Sequence, residues 1–199
     1  MNLMEINISA FRAINDLGKQ FAFLDPVFFF FAEYTVYLLA LAVVIYWFTR
    51  TNENRIMIIS AALSLLIAEI LAKLAGFVHA NNQPFAELSA VHQLVDKAID
   101  NSFPSDHTIL FFTFCLTFWL FGKKHRLIWM ILAVCVALSR IGVGVHYPAD
   151  VLVGAIFGTL SALLSYAIVP KAPLIQRLLA LYERIELAVL PRKDKERSL

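Results

Sequence analysis

The sequence predicts an all-α fold, a polytopic membrane helix bundle of about five transmembrane helices with an amphipathic N-terminal helix ahead of them. Three observations carry this. Of 199 residues, 60% are hydrophobic and 16% charged, against about 45–50% and 25% in soluble domains. The mean hydropathy is +0.71. The apolar residues gather in stretches that reach or approach the roughly 20 residues a helix needs to cross a bilayer core of about 30 Å. Lys and Arg are also distributed unevenly between alternate loops.

Taken in order, residues 1–26 lack a basic start, an unbroken apolar core and a small-residue cleavage site, so no cleavable signal is expected. Leu3, Ile6, Ala10, Ile14, Leu17 and Phe21 recur there at helical spacing among polar residues, which predicts an interfacial or re-entrant amphipathic helix. Spans are expected at 27–48, 56–78, 107–121, 127–143 and 149–169, the third of them short. Residues 170–199 read as an amphipathic cytoplasmic tail, with Leu178, Leu181, Tyr182, Ile185 and Val189 on one side and Arg177 and Arg184 elsewhere. No repeat or low-complexity linker interrupts the chain, so 1–199 is expected to form a single membrane-embedded domain.

Orientation follows from the basic residues of short loops. Arg50 and Arg55 follow the first span, Lys123, Lys124 and Arg126 follow the third, and the tail carries Lys171, Arg192, Lys193, Lys195 and Arg197. Residues 79–106 offer only Lys97 against Glu87, Asp96, Asp100 and Asp106, and the 144–149 turn has no basic residue. These last two loops are therefore expected to be extracytoplasmic. Arg12 and Lys19 fall on that side too. A net charge of +2 without a basic, aromatic-laced stripe argues against nucleic acid as a partner. Cys115 and Cys135 lie in apolar runs and read as small core residues.

This threading brings three polar stretches to one membrane face: HANNQPFAE after the second span, NSFPSDHT before the third, and SRIGVGVHYPAD between the fourth and fifth. Ionisable groups near membrane depth are costly and usually functional. Pro104 and Pro148 suit helix first turns. The Ser105, Asp106 and His107 amides would then be open donors at a helix start, where anions are held. Asp106 also reads as a helix cap. Asp150 could reach His146 across one turn and fix its tautomer. Arg140 offers a fork that matches phosphate oxygens, and Gly142 and Gly144 allow a tight turn before His146. An oriented imidazole, a second imidazole as acid, an arginine and helix-start amides together suit phosphoryl transfer through a phosphohistidine. No carboxylate–histidine cluster of the two-metal kind is seen, and no metal or cofactor is expected.

Ser139, Arg140, His146 and Asp150 form the pattern SR-x5-H-x3-D, and Pro104, Ser105 and His107 form PSxH with Asp106 at the third place. On these residues the chain resembles the type 2 phosphatidic acid phosphatase superfamily, and within it the bacitracin-resistance group of undecaprenyl diphosphate phosphatases, over roughly 20–170. The resemblance implies His146 as nucleophile, Asp150 as its orienting carboxylate and His107 as the acid for the leaving phosphate. It implies substrate contacts from Arg140, Ser139, Ser105 and Asp106. The family's first motif, K-x6-RP, departs here: Gln83 precedes Pro84, and Gly76 stands where the lysine would be. Lys73, Gln83 and Asn82 are candidates to fill that role, with Asn81 and His79 beside them. An ion pair with Glu69, one turn away, is the alternative for Lys73. Glu33 in the first span has no evident partner.

The resemblance implies a polyprenyl diphosphate lipid as substrate, among membrane lipids, in a bacterial plasma membrane with the site extracytoplasmic. Phosphatidic acid or phosphatidylglycerol phosphate as substrate is the alternative that shares the chemistry. A transporter or channel is the third reading. Against it stand the lack of an inverted repeat and the gathering of polar groups at one end instead of the midplane. Oligomeric state is left open.

Overall fold

The computed structural model describes residues 2–123 and 125–189. Among the described residues seven main helices follow one another: α1 Leu3–Gln20, α2 Ala22–Phe48, α3 Asn52–Val78, α4 Asp106–Leu120, α5 Arg126–Gly142, α6 Pro148–Ile168 and α7 Pro173–Val189. A single turn, Pro84–Glu87, interrupts the long loop before α4. Among the described residues no strand occurs. The expected helical membrane bundle is observed.

By length and composition α2, α3 and Pro148–Lys171 can each cross a membrane. The other two expected spans are shorter. The 15 residues of α4 rise only about 22 Å, and α5 has 17. The first span begins at Ala22, five positions before the apolar run suggested, because a 3-10 turn at Ala22–Leu24 and Pro26 in the first turn start the helix directly after α1.

Helix α4 is central and packs against α3, α5 and α6. Its Phe111, Phe114 and Phe118 meet Met57, Ala61, Leu39 and Val136 in the main apolar cluster. Leu66, Ile70 and Leu74 of α3 and Leu152, Ile156 and Leu160 of α6 are exposed, as residues facing acyl chains would be. Three interior hydroxyls bond within their own helices: Thr113 to the Leu110 carbonyl, Thr117 to Thr113 and Ser60 to Ile56. That satisfies polar groups where no water is at hand. Cys115 is buried, as its apolar setting suggested.

The two ends of the bundle are closed differently. At one end α1 lies across the loops, with Phe11 on the Tyr147 ring at 5.7 Å and Arg12 donating to the Ser89 and Ala90 carbonyls at 2.6 and 3.1 Å. Arg12 is thus committed to a loop, which accounts for a basic residue on the sparsely charged side. At the other end α7 docks through Arg55, which meets Glu183 at 3.2 Å and Glu186 at 2.6 Å. Tyr182 accepts from the Trp47 indole at 3.2 Å, and Lys123 pairs with Glu53 at 2.8 Å. Lys124 and the basic tail residues Arg192, Lys193, Lys195 and Arg197 lie outside the described residues.

Candidate active site

His146 sits in the turn between α5 and α6 and is almost wholly buried. Its Nδ1 lies 2.9 Å from the Ser102 carbonyl. A carbonyl only accepts, so Nδ1 carries the proton and Nε2 presents a lone pair. Asp150 was expected to make this bond, but its Oδ2 is 3.7 Å away, beyond hydrogen-bond reach. The carboxylate is held elsewhere: Ser102 Oγ donates to Oδ2 at 2.8 Å and the Tyr147 amide at 2.9 Å. Asp150 therefore acts on His146 through space and through Ser102. Burial holds the imidazole below its ordinary range, Arg140 and Lys97 push the same way, and Asp150 opposes them.

The turn can be this tight because Gly144 has φ +86, and a Cβ there would meet the His92 carbonyl at 2.9 Å. Gly142, by contrast, is helical and lets the Phe28 ring close on α5. From α1, Asn15 donates to the Gly142 carbonyl at 2.9 Å and the Asn7 carboxamide oxygen accepts from the Ala149 amide at 3.0 Å. Two asparagines of one helix thus brace both ends of the His146 turn.

Arg140 ends α5 and is buried. Its Nη1 donates to the Ala32 carbonyl at 3.1 Å and meets Glu33 at 3.4 Å. Its Nε has no partner among the described residues. A buried guanidinium with an unspent donor is costly unless a ligand takes it. Glu33, unexplained in the sequence, lies in the π-helical stretch Phe30–Tyr34 of α2, a distortion often found at functional positions.

At the start of α4 the first intrahelical bond runs from Ile109 to the Ser105 carbonyl, so the amides ahead of it point out of the helix. One expected open donor is already used, since the Ser105 amide bonds the Asp150 carbonyl at 3.2 Å. That bond ties the PSDH turn to α6, and Gly154 permits the approach, because a Cβ there would meet the Ser105 carbonyl at 2.9 Å. The buried Ser105 hydroxyl accepts from Thr108 at 3.1 Å. His107 is half-buried and Asp106 exposed. His107, Arg140 and His146 lie within electrostatic reach of one another.

The remaining candidates are placed less centrally. Ser139 donates its hydroxyl to the Val136 carbonyl at 2.7 Å. Gln83 is fully buried; its Nε2 donates to the Asp100 carboxylate and the Ala98 carbonyl, and its Oε1 accepts from the Asp100 amide at 3.1 Å. Both ends of that carboxamide are committed to the loop, not to a ligand. Asn82 is exposed and supplies its carbonyl to the Asn81 side chain at 3.3 Å. Lys73 faces a cavity of about 370 Å³ shared with Glu69 and Asp106, so its two alternatives converge on one space. Among the described residues no three His, Cys, Asp or Glu side chains form a metal-holding group.

Residues 56–173 match the PAP2 superfamily. The chain belongs to that superfamily. It is 51% identical to the bacitracin transport permease protein BcrC of Bacillus licheniformis over 195 residues, 98% of this chain and 96% of that protein. It is 30% identical to undecaprenyl-diphosphatase BcrC of Bacillus subtilis over 147 residues, 74% and 76% of the two chains. The crystal structure of Aquifex aeolicus LpxE superposes with a TM-score of 0.70 at 27% identity, covering 82% of this chain and 96% of that one. The family resemblance and the hydrolase class read from the sequence both hold.

The PAP2 match begins at α3 and leaves α1 and α2 outside. Those two helices supply Glu33, Asn7 and Asn15. Together with Ser102, these are the site-holding residues that sequence reasoning missed. Glu33 had a signal, a carboxylate in an apolar span that needed a cation. Ser102 had none, because its key atom is a backbone carbonyl.

Proposed function

We propose that this PAP2 protein is an undecaprenyl diphosphate phosphatase working through a phosphohistidine at the extracytoplasmic face of a bacterial plasma membrane. The observation that carries the reading is the pairing of a buried, tautomer-fixed His146 with a buried Arg140 whose charge is met by one partly exposed carboxylate, Glu33 at 3.4 Å. The relatives' names, undecaprenyl-diphosphatase and bacitracin transport permease, support the substrate and its link to bacitracin.

In this mechanism Nε2 of His146 attacks the terminal phosphorus and the bond to the bridging oxygen breaks. His107 gives its proton to the leaving undecaprenyl phosphate. A water that returns a proton to His107 then attacks the phosphohistidine, releasing orthophosphate and restoring the free imidazole. As charge builds on the equatorial oxygens, Arg140 and the open amides of α4 stabilise it. Asp150 balances the charge on the imidazole, and the Ser102 carbonyl keeps its ring in line. Asp106, Ser139 and Asn82 border the site, and Lys73 faces the adjoining cavity.

The sidedness is supported by the segregation of Arg50, Arg55 and Lys123 to the opposite end from His146. An outward site meets the diphosphate left by cell-wall polymerisation and competes with bacitracin for it. The test is phosphate release by the purified chain from undecaprenyl diphosphate and from phosphatidic acid, each with excess EDTA. Release from the diphosphate, undiminished by EDTA, is expected. Faster turnover of phosphatidic acid would replace the substrate, and inactivation by EDTA reversed by Mg²⁺ would remove the histidine mechanism.

A further inference from the structure

The site as described holds one fixed cation, Arg140, against a ligand that carries several negative charges. Arg140 already shares its charge with Glu33 at 3.4 Å, so the balance at the phosphate is thin. The long outer loop carries a single Lys and no Arg, and that residue is Lys97; the loop is fastened on both sides of it. Ahead of it, the Leu94 amide donates to the Val143 carbonyl at 3.2 Å, and Leu94 and Val95 pack on buried Val143 and Val145, next to His146. Behind it, Gln83 grips the Ala98 carbonyl, the Asp100 carboxylate and the Asp100 amide.

We propose that Lys97 is a second cation of the phosphate clamp, held over the His146 turn by Gln83. The carboxamide standing where the family pattern has an arginine does not itself meet the anion. It fixes the short segment that brings a lysine there instead.

Two further features fit. Lys97 is half-buried, and its pair with Asp100 is loose at 3.7 Å, with that carboxylate 58% exposed, so the ammonium is free to turn to a stronger anion. Its charge also reaches both His107 and His146, as that of a residue bordering the reacting phosphate must.

The inference rests on the phosphatase reading for its substrate, and binding of inorganic phosphate separates the two. Purified full-length chain in detergent is titrated with orthophosphate, with thermal unfolding followed in parallel. Lys97→Met should weaken phosphate binding by about tenfold or more, the worth of one charge-assisted hydrogen bond, at an unchanged unfolding temperature. Lys97→Arg should restore most of it. Gln83→Leu should reproduce part of the loss by loosening the segment. Phosphate binding by Lys97→Met equal to that of the unaltered chain would overturn the proposal, even if the enzyme hydrolyses its lipid. Phosphate binding by the unaltered chain without release from undecaprenyl diphosphate would instead overturn the substrate and leave the Lys97 clamp standing.

Discussion

Two buried arginines mark the two ends of this bundle, and their surroundings differ. Arg55, where α3 starts, meets Glu183 and Glu186, the latter with both carboxylate oxygens within 2.7 Å of Nη2, and lies within 6 Å of the Trp47 and Tyr182 rings. Arg140, where α5 ends, has one carbonyl at 3.1 Å and one carboxylate at 3.4 Å. Among the described residues neither Nε has a hydrogen-bond partner, so a missing hydrogen bond alone does not mark a ligand site. Charge does. Arg55 has two carboxylates in direct contact, whereas Arg140 shares a single half-exposed one and lies within electrostatic reach of two histidines. With Arg50 also on Glu186 at 3.3 Å, two arginines meet two carboxylates there. A buried cation with its charge matched in direct contact clamps a helix; one with too little counter-charge awaits an anion.

The largest expected effect lies beside Arg140. His146→Ala should lower turnover by on the order of 10⁴-fold or more with phosphate binding largely kept, since the lost group acts in the transition state. Next comes the contrast itself. Arg140→Lys keeps the charge and loses the fork, and should cut kcat/KM by about 100-fold with the unfolding temperature unmoved. Arg55→Met should do the reverse, holding kcat/KM near its usual value while lowering stability by about 3 kcal/mol, because two carboxylates lose their buried partner. Loss of activity in Arg55→Met at full stability would break the comparison. Smaller still, Ser102→Ala removes the hydroxyl from Asp150 but keeps the carbonyl on His146, so a loss of about tenfold in kcat is expected.

pH should separate the two ends as well. Because His146 is held below its ordinary range near 6.5, it keeps its Nε2 lone pair there, and on the proposed mechanism the acid limb of kcat/KM should fall below pH 6.5. The Glu186 carboxyl is depressed by its hydrogen bond to Arg55, against an opposing effect of burial. A group depressed on folding stabilises above its unfolded value, near 4.5, and that contribution is lost as pH falls through the folded value. Stability should therefore drop in acid below pH 4.5, and Glu186→Gln should flatten that drop without moving the activity limb.

What the sequence made legible follows from which atoms carry signals. The spans emerged because a bilayer demands apolar length, and α3 and α6 were found within a few residues. The SR-x5-H-x3-D and PSxH groups emerged because prolines and charges mark helix starts. Ser102 stayed hidden because a peptide carbonyl looks the same at every residue. Glu33 was visible as an unpaired charge, but its partner lies 107 positions away, a distance that periodicity cannot bridge. The loop partners of Gln83, Ala98 and Asp100, were hidden for a similar reason: what a carboxamide bonds depends on segments that meet only in the fold.

The central claim is that His146 takes the phosphoryl group, and trapping it is the direct measurement. His107→Ala protein, slowed in both proton transfers, is mixed with undecaprenyl diphosphate labelled at its terminal phosphate, quenched in alkali and digested. The label should be acid-labile, alkali-stable and confined to the peptide bearing His146. Phosphate released in the same experiment with no label on His146, or with label on another residue, would contradict it.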